Sequence, residues 1–199
     1  DDAVSIKKFD NFYELGVHIA DVGEYVKQGN VFDEEAYKRG TSVYFPTSVL
    51  PMLPKSLSNG ICSLNEGVER LTLSCIMKVD FNGKVTDYKI CESVIKSVAR
   101  LTYDEVYAAI TDGKLNDKTK NLQKDFLLMR ELCDILEENT QKRGALDLEI
   151  PEVQFVFDDK GMAVDLPRRE RNAAHRLIED FMVLANETVA KHFSKLKIP

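Results

Sequence analysis

The chain has 199 residues, 27 basic and 33 acidic side chains, and a net charge of −6 at neutral pH. Hydrophobic residues make up 44%, enough apolar surface to build a core, which excludes a disordered chain. No apolar run approaches the ~20 residues needed to span a bilayer. The acidic balance argues against a protein that simply coats nucleic acid, but not against a nucleic-acid enzyme whose site is itself made of carboxylates.

The opening Asp1-Asp2 lies just before a strand over 3–7. Tyr13, Leu15, Val17 and Ile19 alternate with Glu14, Gly16 and His18, a half-buried strand. A short helix is expected over 33–39, with Asp33 as N-cap and Gly40 as its stop. Ser42 to Phe45 is extended, Pro46, Pro51 and Pro54 break up a loop, and Ser58-Asn59-Gly60 is a turn. Leu71, Leu73, Cys75, Met77, Val79 and Phe81 then alternate with more polar positions, and Asn82-Gly83 signals a two-residue hairpin turn before a return strand over 85–93.

Downstream, a short helix over 104–110 is capped by Thr102 or Asp104. Apolar residues at helical spacing (Leu122, Phe126, Met129, Leu132, Cys133, Leu136) place a helix over 118–143, ended by Gly144. A second hairpin joins 153–157 to 163–166 through Asp158-Asp159-Lys160-Gly161. A long helix follows over 172–194, with a stripe of Leu177, Ile178, Phe181, Met182, Leu184, Ala185, Val189 and Phe193. No linker, repeat or low-complexity stretch divides the chain. Strands and helices are segregated rather than alternating, so the reading is one α+β domain, antiparallel hairpins packed with a few helices and a long C-terminal one.

Few residues point to chemistry on their own. Cys62, Cys75, Cys91 and Cys133 form no CxxC pair and no zinc spacing with histidine, so unpaired, largely buried thiols in a reducing cytoplasm are expected. Adjacent carboxylates at Asp1-Asp2 point to opposite sides of an extended segment and repel unless a cation or solvent relieves them. From these residues alone the favoured reading is a solvated, frayed terminus. His18 and Asp21 read as structural, Asp21 as a cap for the following turn. Tyr44 and Tyr103 sit beside loops, where a ring can stack on a base or simply pack. Arg168, Arg169, Arg171, His175 and Arg176 cluster before and inside the start of the last helix, a composition that suits phosphate, although on these residues alone a solvated basic turn paired with Glu170, Glu179 or Asp180 is the favoured reading.

Taken as strings, the runs DDAVSI, YELGVHIADV, KRGTSVYFP, LPMLPKSLSNGICSLN, RLTLSCIMKVD, YKICESVIKS, ARLTYDEV, RGALDLEIPE and RNAAHRLIEDFMVLANETVA resemble, in order and over nearly the whole chain, the catalytic (RNB) domain of the ribonuclease II and ribonuclease R family. RGTSVYFP and LSNGICSLN carry the resemblance toward the ribonuclease R branch.

The resemblance implies a processive, hydrolytic 3′-to-5′ exoribonuclease that uses Mg²⁺, takes single-stranded RNA and not DNA, and releases nucleoside 5′-monophosphates in the cytoplasm, without a membrane. The family's acidic site follows a D-x5-D-x-D-D pattern, of which Asp1 and Asp2 match the final pair. Asp1 then corresponds to the aspartate essential for cleavage, and Asp2 to a metal-site support. Tyr44 matches a tyrosine that packs on the last nucleotides and sets the end-product length, and Tyr103 one near the ribose 2′-hydroxyl. Asp180 falls where a glutamate near the ribose is commoner, and is one methylene shorter. Leu148 falls where a phenylalanine stacks on the terminal base, and leucine cannot stack. Arg171 is taken as RNA-binding. The remaining aspartates and an arginine-bearing RRYAD-like run would lie outside residues 1–199, as would oligonucleotide-binding modules. An incomplete catalytic domain, inactive alone, is therefore expected. The rivals are a non-catalytic RNA-binding module and a protein-interaction module on the same fold.

Overall fold

In the computed structural model residues 2–145, 152–153, 155–169 and 171–198 are described. β1 (Asp2–Lys8) and β2 (Phe12–Ala20) form an antiparallel pair, with Asp2 opposite Ile19 and Lys8 opposite Tyr13. Asp21 opens the single turn of α1 (Val22–Tyr25), its Oδ1 accepting the Glu24 amide at 3.1 Å. α2 (Val31–Arg39) starts before the expected Asp33. Its cap is Asn30, which has an extended backbone and whose side-chain oxygen accepts the Asp33 amide at 2.8 Å. Asp33 sits inside the first turn and its carboxylate accepts from the Gly29 amide at 2.8 Å, so both residues cap, from opposite directions.

β3 (Val43–Tyr44) and β4 (Val49–Leu50) form a two-stranded ribbon. Ser58-Asn59-Gly60, expected as an isolated turn, lies inside a π-helical segment, Ser56–Ile61. β5 (Glu69–Asp80) and β6 (Val85–Lys96) are the long hairpin that alternation demands, and the main sheet runs β1-β2-β5-β6, all antiparallel. Its turn is longer than the expected two residues. Asp80 Oδ1 accepts the amides of both Asn82 and Lys84 at 2.9 Å, while the Asp80 amide donates to the Lys84 carbonyl. The aspartate side chain thus gathers the backbone donors of a wider loop, closed by Gly83 at φ 77.

α3 (Tyr103–Thr111) begins with a capping box between Thr102 and Glu105. α4 (Gln123–Lys142) begins later than the expected 118. Asn116 Oδ1 accepts the Lys118 and Thr119 amides at 2.9 Å, holding the preceding stretch in a turn that passes through a 3₁₀ segment, Lys120–Leu122. The expected second hairpin divides in two: β7 (Glu152–Val153) pairs with β10 (Arg168–Arg169), and β8 (Val156–Phe157) with β9 (Ala163–Asp165). α5 (Ala173–Leu196) is capped by Asn172.

One face of the sheet carries Ile6, Leu15, Val17, Cys75, Met77 and Val79, packed on Leu132, Cys133 and Leu136 of α4 and Leu177, Phe181 and Ala185 of α5. Burying these stripes is what fixes the two long helices on the sheet. Glu131 of α4 reinforces the seam, accepting from Lys8 Nζ at 2.6 Å and Tyr13 Oη at 2.7 Å, and the Lys8 contact holds its carboxyl below the ordinary carboxylate range. A smaller cluster of Ala20, Cys62 and Leu64 packs against Ala3, Val22 and Ile95.

His18 crosses the sheet as a satisfied polar link, with Nε2 3.2 Å from Ser5 Oγ and Nδ1 2.6 Å from Ser74 Oγ. Gly16 leaves room for it, because a Cβ there would lie 2.5 Å from Ser5 Oγ and 2.7 Å from His18 Nε2. The four cysteines are unpaired. Among the described residues no helix is long and apolar enough to cross a membrane.

Candidate functional site

Two capped helix starts meet at one place. Tyr103 is the first residue of α3, and His175 lies in the first turn of α5. Their rings stack at 3.9 Å between centroids, 15° from parallel. The imidazole is held from below: Nδ1 lies 2.8 Å from Asn172 Oδ1, the same oxygen that accepts the Ala174 and His175 amides.

Two cavities adjoin this place. One, of about 600 Å³, lies between the open edge of β1, the 95–103 segment, and helices α3, α4 and α5. Asp2 and Asp125 are its acidic lining residues, and its apolar lining includes Ile6, Phe126 and Leu177. The other, of about 1200 Å³, is lined by Arg130, Arg168, Arg171, Arg176, His175 and Tyr107, with others. Thr102 and Tyr103 border both. In a chain of net charge −6, this is a concentration of guanidinium groups beside two helix N-termini, a setting that favours phosphate. Arg171 donates to Glu179 through Nε at 2.8 Å, and Arg130 pairs with Asp134. Nε of Arg176 is buried with no hydrogen-bond partner among the described residues.

The sequence candidates divide accordingly. Asp2 and Tyr103 line one cavity, and Tyr103 and Arg171 the other. Asp1 and Leu148 lie outside the described residues. Tyr44 lines neither cavity. It projects from β3 with 77% of its surface exposed, so core packing is not its role. Asp180 turns to α4, where Cys133 Sγ donates to its Oδ2 at 3.3 Å and to Glu137 Oε1 at 3.8 Å.

Burial pushes the Asp180 carboxyl above the ordinary carboxylate range, aided by Glu137 and Glu179 and opposed by the Cys133 hydrogen bond and Arg171. Burial likewise raises the Cys133 thiol. A carboxyl whose folded pKa is raised contributes stability that is complete below its unfolded pKa and lost as pH rises through the folded value. Asp180→Asn should therefore flatten this part of the pH profile: between pH 4 and pH 7 the wild type should lose more melting temperature than the variant. A larger loss in the variant would show the ionised carboxylate to be stabilising instead.

Cys133, Glu137 and Asp180 place ligand atoms within 4.8 Å of one another, the one such group among the described residues. A soft, buried thiol does not suit Mg²⁺, which takes oxygen ligands. Asp2 at the first cavity does, because Mg²⁺ is commonly held by one or two carboxylates together with substrate phosphates.

His175 as a partner of Tyr103, and Arg130 as part of the basic wall, were not evident from the sequence. Each pairing crosses a long separation with no local pattern. Glu179, four residues after His175 and therefore on the same face of α5, was visible only as a possible ion-pair partner for arginine.

The model of the RNB domain family matches residues 1–199. Ribonuclease R 2 of Lactococcus lactis is 45% identical over 205 residues, covering 100% of this chain and 31% of that protein. Ribonuclease R of Thermotoga maritima is 48% identical over 201 residues, covering 100% and 28%. The structure of Mycoplasma genitalium RNase R in complex with ribose-methylated single-stranded RNA matches with a TM-score of 0.93 at 32% identity, over 99% of this chain and 31% of that one. The chain thus spans about a third or less of the length of these relatives.

Proposed function

Because the chain belongs to the RNB domain family, with ribonuclease R proteins among its relatives, we propose that it forms part of the catalytic domain of a processive 3′-to-5′ exoribonuclease. It takes single-stranded RNA and releases nucleoside 5′-monophosphates. The observation that carries this reading is the match, over the entire chain, to ribonuclease R proteins at 45–48% identity.

Asp1 and Asp2 would hold Mg²⁺, which would supply Lewis-acid stabilisation and an activated water for an in-line displacement. The chain's own residues handle the rest of the substrate. Tyr103 faces the ribose, where the 2′-hydroxyl separates RNA from DNA. Tyr44 offers a ring to the last nucleotides. Leu148 gives apolar contact near the terminal base, and Asp180 is assigned to the ribose region by the family resemblance alone, since its carboxyl turns to Cys133 on α4. Arg171, with the guanidinium groups around it, draws the phosphodiester backbone. Four unpaired cysteines, three of them buried, support a reducing compartment, the cytoplasm.

The test begins with the full-length enzyme that carries this domain, given 5′-labelled poly(A) and Mg²⁺. Stepwise shortening from the 3′ end with release of AMP is expected. RNA bound but left intact would favour the non-catalytic RNA-binding alternative. Residues 1–199 alone should release no measurable mononucleotide, because a two-metal site with half its carboxylates cannot hold both ions. Hydrolysis by this segment near the full-length rate would refute that division of ligands.

A further inference from the structure

We propose that His175 is a positioning residue for Tyr103: a ring locked by the α5 cap that fixes the tyrosine presented to the RNA sugar. The inference rests on the reading of Tyr103 as the ribose-facing side chain, and adds what holds it in place. Tyr103 is 40% exposed at the first position of α3. A half-exposed side chain there has several rotamers open to it, whereas a hydroxyl that must meet a sugar oxygen needs placement to within about 0.5 Å.

The stack on His175, 3.9 Å and 15° from parallel, removes that freedom on one face. The imidazole is itself constrained. Asn172 Oδ1 accepts two backbone amides, so it is the amide oxygen that faces Nδ1 at 2.8 Å, and Nδ1 carries the hydrogen. Asn172 holds extended backbone angles as the cap of a 24-residue helix packed on the sheet. The order therefore runs from a rigid helix to its cap, from the cap to the imidazole, and from the imidazole to the tyrosine. On the other side the Thr102–Glu105 capping box pins the start of α3.

The discriminating measurement is kcat/KM of the full-length enzyme on RNA and on the same RNA with 2′-deoxy nucleotides at its 3′ end. His175→Ala should lower kcat/KM on RNA about two- to tenfold, the scale of one aromatic pair. It should slow the deoxy-ended substrate less, so the ratio falls. His175→Phe, which restores a stacking face, should recover most of it. If Tyr103→Ala leaves the ratio unchanged, the ribose reading fails and the positioning role falls with it. If Tyr103→Ala lowers the ratio while His175→Ala does not, or His175→Ala slows both substrates equally, the positioning role is overturned and the ribose reading stands. A thermal melt accompanies each variant. Should His175→Ala not fold, His175→Leu, which fills the space without an aromatic face, must lower the ratio in its place.

Discussion

Phe181→Ala should destabilise the domain by about 3–5 kcal/mol, the range for removing a large buried aromatic side chain. Phe181 is fully buried on the inner face of α5, in the cluster that joins the sheet to α4. Its neighbours in that cluster, Leu132 and Leu177, are also almost inaccessible. A close-packed site of this kind relaxes little around a deletion, so the cavity adds to the lost burial. Domains are stable by only about 5–15 kcal/mol, so the variant should retain a small margin or none. Urea unfolding followed by far-UV circular dichroism measures the change. A loss below about 1.5 kcal/mol would mean that α5 is held chiefly by its ends, through the Asn172 cap and the ion pairs along it, and not by this core.

Where local chemistry alone decides, the sequence is a sufficient guide. The β5–β6 hairpin follows from two strands of alternating pattern, and α5 begins just after Asn172 because a cap residue precedes a continuous apolar stripe. Legibility fails where two residues compete for one role. Asn30 and Asp33 are both good caps, and only the backbone path shows that Asn30 holds the helix amide while Asp33 reaches back to Gly29. Asn82-Gly83 signals a tight turn, but Asp80 captures the amides on either side and widens it.

The candidate site divides in the same way. The arginine cluster before α5 is visible as composition, yet its wall includes Arg130 from another helix. The Tyr103–His175 stack joins two helix starts that no spacing connects. The phase of α5 was readable in principle. Glu179 follows His175 by four positions and shares its face, whereas Asp180 is turned about 100° further round, to Cys133.

Asp1→Asn in the full-length enzyme should abolish RNA cleavage while leaving RNA binding nearly intact. The substitution keeps the size and shape of the side chain and removes one negative charge. A neutral amide is a poor ligand for a hard divalent cation, because the attraction between carboxylate and ion is largely coulombic. Metal stabilisation of the charge that develops on a phosphoryl group amounts to several kcal/mol. Losing ~4 kcal/mol slows the step about a thousandfold. Affinity responds differently, because most RNA binding comes from backbone phosphates met over a long path, and the guanidinium groups at the second cavity are untouched by the change. Removing an acidic group near the phosphates can even tighten binding at low salt. The experiment pairs single-turnover cleavage of a labelled oligonucleotide with its Kd in the same buffer, at one stated salt concentration. Cleavage at the wild-type rate would remove Asp1 from the metal site. Parallel loss of cleavage and binding would make it a residue that holds substrate rather than one that acts on it. Asp2→Asn is the companion measurement. Asp2 opens the edge strand at the first cavity, opposite Ile19, and a support role there predicts a smaller loss of rate than Asp1→Asn, with partial recovery as the Mg²⁺ concentration is raised.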